Sequence, residues 1–105
     1  MARAFLHPAR KEITIDGVLH ALADPVRRGI VAKLLDCDDD GLSCKAACDL
    51  PPSSISFHHK ILREAGLIRS KKIGVEVMNS LRREDLEKRF PGLLESILQH
   101  HRIRR

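Results

Sequence analysis

The sequence predicts a mainly α-helical domain with one small β-hairpin, an α+β fold. Two observations support this fold class: apolar residues recur at helical spacing through most of the chain, and an alternating segment around Gly74 interrupts that spacing. A chain of 105 residues is long enough for one modest core and too short for two. We therefore expect a single domain over residues 1–105, with its core in residues 13–98.

The first two helices are predicted between residues 13 and 35. Thr14 is a suitable N-cap for the first of them. Asp24 followed by Pro25 is a typical start for the second, because proline at the first helical position loses no hydrogen bond. The apolar positions of the second helix are expected in the core, and its charged positions are expected at the surface, at Arg27, Arg28 and Lys33.

Two further helices are predicted on either side of a pair of prolines. The segment "SCKAACDL", residues 43–50, fits a short helix that the prolines end. The next helix is predicted over residues 53–65, capped by Ser53 or Ser54. Gly66 then supplies the left-handed position that commonly ends a helix.

A hairpin and a bent helix complete the domain. Residues 67–81 alternate on both sides of Ile73-Gly74, which predicts two antiparallel strands. The segment "REDLEKRFPGLLESILQHHRI" has helical spacing, with a bend expected at Phe90-Pro91-Gly92. The order of helix, helix, short helix, turn, helix, hairpin and helix is typical of a winged helix-turn-helix domain.

A helical wheel sorts the predicted helix at 53–65 into two faces. His58 is expected to face inward, whereas His59 is expected at the flank. The inward face is otherwise apolar, with Ile55, Ile61, Leu62 and Ala65. The opposite face carries short hydroxyls near the helix start and longer cations beyond, with Ser53, Ser56, Lys60 and Arg63. The alternative interpretation is an ordinary amphipathic surface helix.

The net positive charge of the sequence belongs to its second half. Residues 1–52 contain seven Lys and Arg against eight Asp and Glu, whereas residues 53–105 contain twelve against six. A positive surface on one half of a chain favours a polyanionic partner, of which double-stranded DNA fits a helix-turn-helix. The predicted DNA-binding residues are Ser53, Ser54, Ser56, Phe57, His59, Lys60, Arg63, Lys71 and Lys72.

Three segments, "LADPVRRGIVAKLL", "SISFHHKILREAGLIRSKK" and "SLRREDLEKRFPGLL", together resemble the ArsR/SmtB family of bacterial winged-helix repressors. The resemblance covers about residues 13–98 and follows the order of the family. It implies a homodimer that binds operator DNA and releases it when a metal, a metalloid or another signal arrives. It further implies a recognition helix at 53–65, a wing at 67–81, and a dimer interface made by the first and last helices.

Three cysteines are the candidate sensor. Cys44 and Cys48 lie four residues apart on the predicted short helix, so their thiols would project from one face, and Cys37 lies just before it. Thiols in this arrangement suit either oxidation or a thiophilic metal or metalloid ion at Cys44 and Cys48. A third interpretation is structural, because cysteine is often a small buried residue. These three alternatives stay open.

Other classes of function are less well supported. The sequence contains no Gly-rich phosphate loop, nucleophile elbow or HExxH pair, so we expect no enzyme. It has no long apolar run and no apolar signal-peptide core, and we expect a cytoplasmic protein. Two alternatives to a regulator are a protein-interaction module that keeps the fold without binding DNA, and a small protein that handles metal or redox chemistry.

Overall fold

The computed structural model describes residues 5–36, 42–43 and 51–103. A short 3-10 helix, Arg10–Glu12, precedes the helices α1 (Ile15–Ala21) and α2 (Pro25–Leu35). The strand β1 (Leu42–Ser43) and the helix α3 (Pro52–Glu64) follow. The hairpin strands are β2 (Ile68–Ile73) and β3 (Glu76–Leu81), and the chain continues as α4 (Arg83–Arg89) and α5 (Leu93–Ile103). This is the predicted winged helix-turn-helix architecture.

The helix starts follow from local chemistry at two places. The Thr14 hydroxyl accepts a hydrogen bond from the Gly17 backbone N–H at 3.0 Å, so Thr14 caps α1 as predicted. The Asp24 carboxylate accepts the Val26 N–H at 2.7 Å, and Pro25 occupies the first position of α2. Both boundaries confirm the sequence prediction.

Arg27 departs from its predicted exposure, because only 7% of its surface is accessible. Its Nε donates to the Ala21 carbonyl at 2.6 Å, and a terminal nitrogen donates to the His20 carbonyl at 3.4 Å. The last carbonyls of a helix have no partner within it, so a buried guanidinium can satisfy them. Arg27 therefore joins α2 to the end of α1 instead of facing solvent.

The sheet has three antiparallel strands in the order β1-β3-β2. In the hairpin, Ile68 pairs with Leu81 and Ile73 pairs with Glu76. Ser43, predicted to begin a helix, lies instead in β1 and pairs with Met78. Pairing with the outer edge of β3 is a long-range interaction that local helical spacing does not reveal. The rest of the predicted short helix lies outside the described residues.

One core joins the helices to the base of the hairpin. Apolar side chains of α1 and α2 pack with the end of α3, the start of β2, and single leucines from α4 and α5. The buried set is Ile13, Val18, Ala21, Leu22, Ile30, Val31, Leu34, Leu62, Leu67, Ile68, Leu86 and Leu98. Burial on this scale drives folding through the hydrophobic effect, and it fixes α3 with one face inward and the other outward.

The C-terminal segment bends where predicted. Helix α4 ends before Phe90, Gly92 adopts a φ of +79°, and α5 begins at Leu93. Only a residue without a Cβ atom takes that conformation readily. No helix within residues 5–36 and 51–103 is long and apolar enough to cross a membrane.

Candidate nucleic-acid interface

Helix α3 starts and ends at positions set by proline and glycine. Pro51 precedes the first turn and Pro52 occupies it, and no side chain caps the helix. The prediction that Ser53 or Ser54 is the cap is therefore wrong, because a proline in the first turn starts the helix ahead of both serines. The hydroxyls of the serines are thus not needed as caps.

The end of α3 is a tight reversal that leads directly into the wing. Gly66 has a φ of +88°, and its N–H donates to the Arg63 carbonyl at 3.1 Å. The Leu67 N–H donates to the Leu62 carbonyl at 3.0 Å. These two bonds form a Schellman motif, as predicted for a C-terminal glycine. A Cβ atom on Gly66 would lie 2.5 Å from Ile13 Cγ1, so this reversal is packed against the core.

The outer face of α3 consists of Ser53, Ser56, Phe57 and Lys60, and all four are exposed. Phe57 has 59% of its surface accessible, which is unusual for a large aromatic side chain. Ser54 is half-buried at the edge of this face. The outer face therefore presents hydroxyls near the start of the helix, then one aromatic ring and one cation, and the hydroxyls precede the cation as predicted.

His59 contradicts the prediction that it contacts DNA from the flank of the helix. Only 3% of its surface is accessible. His59 lies four residues after Ile55 and three before Leu62, so all three side chains line up on the buried side of α3. Burial, together with the positive charges of Arg63 and His58, lowers the pKa of His59 to about 4. It is a neutral core residue at neutral pH.

His58 is half-buried, in agreement with the prediction that it faces inward. Its Nδ1 lies 3.3 Å from a terminal nitrogen of Arg27. Arg27 therefore links the end of α1, the start of α2 and the helix α3 through one guanidinium. This contact helps to set the orientation of α3 on the core.

The wing carries exposed cations along β2 and apolar side chains at its tip. Lys71 and Lys72 are both exposed, as their predicted role requires. Gly74 turns the chain with a φ of +63°. Beside it, Ile73 has 55% and Val75 has 96% of its surface accessible. The wing therefore offers two ammonium groups and an apolar tip to a partner.

Arg63 lies on the side of α3 that faces the wing and is bonded to it. Its guanidinium donates to the Ser70 hydroxyl at 3.1 Å, and that hydroxyl donates to Asn79 Oδ1 at 2.7 Å. Ser70 and Asn79 are buried, with 5% and 1% of their surfaces accessible. We call Arg63, Ser70 and Asn79 the wing base. Here the structure brings a predicted DNA-binding residue into an internal polar network.

Phe5 and His7 also reach the wing base, and sequence reasoning missed both. The Arg63 guanidinium lies over the Phe5 ring, 4.5 Å from its centroid. The Ser70 backbone N–H donates to His7 Nε2 at 3.0 Å. These residues precede the first helical spacing in the chain, so no periodic signal marks them. Their partners are more than fifty positions away and are brought together only by the fold.

The predicted sensor residues Cys37, Cys44 and Cys48 lie outside the described residues. Within residues 5–36, 42–43 and 51–103, no three His, Asp or Glu side chains come together in a way that could hold a metal ion. The choice between oxidation, metal binding and a structural role for the cysteines is therefore untested.

Comparisons with known proteins agree with the winged helix-turn-helix fold. A family model described as a helix-turn-helix domain matches residues 22–71. The HTH-type transcriptional regulator YceK of Bacillus subtilis (strain 168) is 32% identical over 83 residues, covering 76% of this chain and 82% of that protein. The crystal structure of an ArsR family transcriptional regulator has a TM-score of 0.63 at 24% identity, covering 87% of this chain and 98% of that one.

The fold and the comparisons define a DNA-binding regulator of the winged helix-turn-helix class. The chain belongs to the HTH-type transcriptional regulators, and its fold is that of the ArsR family. The predicted resemblance to ArsR-type regulators is thereby confirmed at the level of the fold. The proteins that it resembles are regulators of transcription and not enzymes.

Proposed function

We propose that this protein is a homodimeric repressor of the cytoplasm that binds a roughly palindromic operator and leaves it when a signal arrives. The observation that carries the proposal is the outer face of α3, which is exposed beside a wing with two exposed lysines. A recognition helix of this kind enters the major groove with its N-terminal residues nearest the base edges. The wing then lies against the adjacent backbone.

The side chains divide by chemistry into backbone contacts and base contacts. Lys60, Lys71 and Lys72 bind phosphates and supply the salt-dependent part of the affinity. Ser53 and Ser56 are near the start of α3, where hydroxyls reach phosphates or base edges, with Ser54 at the border of the same surface. Phe57 makes apolar contact with a thymine methyl group in the major groove.

The proposed dimer forms through α1 and α5. Leu19 and Ile15 of α1 have 48% and 39% of their surfaces accessible, which leaves an apolar strip on the outside of the monomer. A groove of about 380 Å³ runs beside this strip, lined by Leu19, Leu22, Arg28, Ile97, His100 and His101. A second copy covering the strip and groove would bury this apolar surface and bring two recognition helices into line.

The dimer predicts the effect of one substitution. Leu19→Glu places a charge in the proposed interface, so we expect a monomer by analytical ultracentrifugation and the loss of binding to paired half-sites. Val75→Glu is the matched control for oligomeric state, because Val75 is an exposed apolar residue on the wing. A Leu19→Glu protein that stays dimeric would contradict the interface.

We propose that the signal acts through Cys44 and Cys48, by oxidation of the thiols or by binding of a thiophilic ion. Support comes from their spacing of four residues in the sequence. Titrating operator binding with the reduced protein, the oxidised protein, and the reduced protein with added arsenite or Zn²⁺ separates the two chemistries. Release that persists in a Cys44→Ser/Cys48→Ser protein rules out this sensor.

DNA recognition itself is tested with a labelled fragment of the region upstream of the protein's own gene. Fluorescence anisotropy is expected to show binding at least about a thousandfold tighter than to a shuffled fragment of equal composition at the same salt concentration. Moving one half-site by about five base pairs turns it to the opposite side of the duplex, so affinity should collapse. Equal affinity for both fragments would instead favour an interaction module without specific DNA binding.

A further inference from the structure

The N-terminal brace, which we define as residues 5–8, lies across the base of the wing and is held at three points. The Phe5 ring supports the Arg63 guanidinium at 4.5 Å. His7 Nε2 accepts the Ser70 N–H at 3.0 Å, and the Pro8 carbonyl accepts a hydrogen bond from Arg82 at 2.8 Å. The brace therefore contacts the end of α3, the strand β2 and the residue that follows β3.

The His7 bond is made to the free edge of the hairpin. Ser70 pairs with Asn79 of β3 on one side of β2, and its backbone N–H points to His7 on the other. Burial, together with the positive charges of Arg69, Arg82 and Arg63, lowers the pKa of His7. The ring therefore stays neutral at neutral pH, as an accepting nitrogen must.

The Pro8 contact belongs to a second, charged network on the other strand of the wing. Arg82 has 5% of its surface accessible, and its Nε donates to Asp85 Oδ2 at 2.9 Å. Asp85 also accepts from Arg10 Nε at 2.7 Å, just after the brace. The same stretch of chain thus holds the last residue before α4 as well as β2, so both strands of the wing are anchored to it.

Arg63 is the point where the brace and the recognition helix meet. Its guanidinium is in contact with the Phe5 ring and with the Ser70 hydroxyl. Both contacts hold the guanidinium at the base of the wing, away from the outer face of α3. They link the end of α3 directly to β2 and to the brace, in addition to the reversal at Gly66 and Leu67.

We propose that the brace positions the wing for DNA binding, and that Phe5, His7 and Arg63 are positioning residues rather than DNA contacts. The inference rests on the proposed function, in which α3 and the wing bind one duplex together. A wing held at one angle brings Lys71 and Lys72 to phosphates while α3 occupies the major groove. A wing without the brace samples many angles and loses those contacts for much of the time.

The test compares His7→Ala and Phe5→Ala with two matched controls. His7→Gln keeps an acceptor for the Ser70 N–H in its side-chain amide oxygen, so it is the conservative rescue. Leu6→Ala alters the residue between them, which has 84% of its surface accessible. Each full-length protein is titrated with the operator fragment at several salt concentrations, and its complex is mapped by hydroxyl-radical footprinting.

We expect His7→Ala and Phe5→Ala to lose backbone protection beside the wing while keeping the backbone protection on either side of the major groove that α3 occupies. The two wing lysines leave the phosphates, so the slope of log K against log salt should fall by about one to two for each bound subunit. His7→Gln and Leu6→Ala should match the wild type in footprint and slope. A brace that only stabilises the fold would lower Tm and leave the slope and footprint of the folded protein unchanged, and this result would overturn the proposal.

The same titration with Lys60→Ala separates this inference from the proposed function. If Lys60→Ala weakens binding and His7→Ala leaves the footprint intact, the brace proposal fails and the DNA-binding face stands. If Lys60→Ala has no effect on affinity or salt slope, the proposed DNA-binding face fails, and the role of the brace in DNA binding fails with it.

Discussion

The outer face of α3 and the wing base are two polar regions that both include residues of α3, and they have opposite relations to the rest of the protein. Ser53, Ser56 and Lys60 project from the outer face and are exposed. At the wing base, the polar side chains of Arg63 and Ser70 are bonded to other residues of the chain. The first region is available to a partner, whereas the second holds the wing against the helix.

In the proposed function, contact with DNA and positioning of the wing are therefore divided between separate residues. Positive charge in the sequence does not distinguish the two, since Lys60 and Arg63 are three residues apart and both are cationic. Burial and bonding distinguish them. Changes in the wing base should therefore alter stability or geometry, whereas changes on the outer face should alter affinity alone.

The largest effect is expected from Gly66→Ala, at the reversal that joins the two regions. A left-handed conformation costs an alanine about 1–2 kcal/mol. The new methyl group would also meet Ile13 Cγ1 at 2.5 Å, which adds an overpacking cost and gives a total loss of about 3 kcal/mol. Urea unfolding measures the loss.

Gly74→Ala is the control. Gly74 also has a left-handed φ of +63°, but no atom lies within 4 Å of an added Cβ, so this substitution should lower the free energy of unfolding by about 1 kcal/mol. Equal losses would show that the packing against Ile13 is unimportant.

The next effect is a pH dependence that arises from the buried side of α3. The pKa of His59 is about 4 in the folded protein and near 6.5 when the side chain is exposed. As the pH is lowered, the unfolded chain takes up the His59 proton at a higher pH than the folded protein does. The contribution of His59 to stability is therefore complete above pH 6.5 and falls as the pH drops toward 4. We expect a loss of about 2 kcal/mol between pH 7 and pH 5.

His59→Leu removes this titration, so its stability should change less over the same range than that of the wild type. Urea unfolding at pH 7, 6 and 5 measures the difference. Phe57→Leu, at an exposed position on the same helix, is the control and should follow the wild-type curve. A His59→Leu protein with the wild-type pH dependence would show that the buried imidazole is not the source.

Much of the fold follows from short-range signals in the sequence. The N-caps Thr14 and Asp24, the glycine at the end of α3 and the turn at Gly74 each act within a few residues, and the helices and hairpin they delimit are present. The strand β1 could not be predicted in this way, because it exists through pairing with β3. Tertiary pairing overrides local preference for such a short segment.

In the candidate site, the sequence predicts the side chains that are exposed. It does not predict the side chains that are buried or hydrogen-bonded within the protein. The hydroxyl and lysine positions on α3 follow from helical spacing. The prediction for His59 was wrong because Ile61, which is only half-buried, was counted as part of the apolar face of the helix. Including Ile61 centred the predicted face away from the buried side, which Ile55 and Leu62 define. The internal partners of Arg63 are Phe5 and Ser70, fifty-eight positions before it and seven after it, and only the folded chain brings both to one guanidinium.

The most direct test of the account is the salt dependence of operator binding by Lys60→Ala. Lys60 is exposed, so its removal should leave the free energy of unfolding within about 0.5 kcal/mol of the wild type. Affinity should fall about fivefold, and the salt slope should fall by about 0.9 for each bound subunit. Lys88→Ala is the matched control, because it removes the same charge from α4, where Lys88 pairs with Glu84 at 3.7 Å. A reduced slope for Lys60→Ala alone is the predicted result, and equal slopes for the two variants and the wild type would contradict the claim that the outer face of α3 binds DNA.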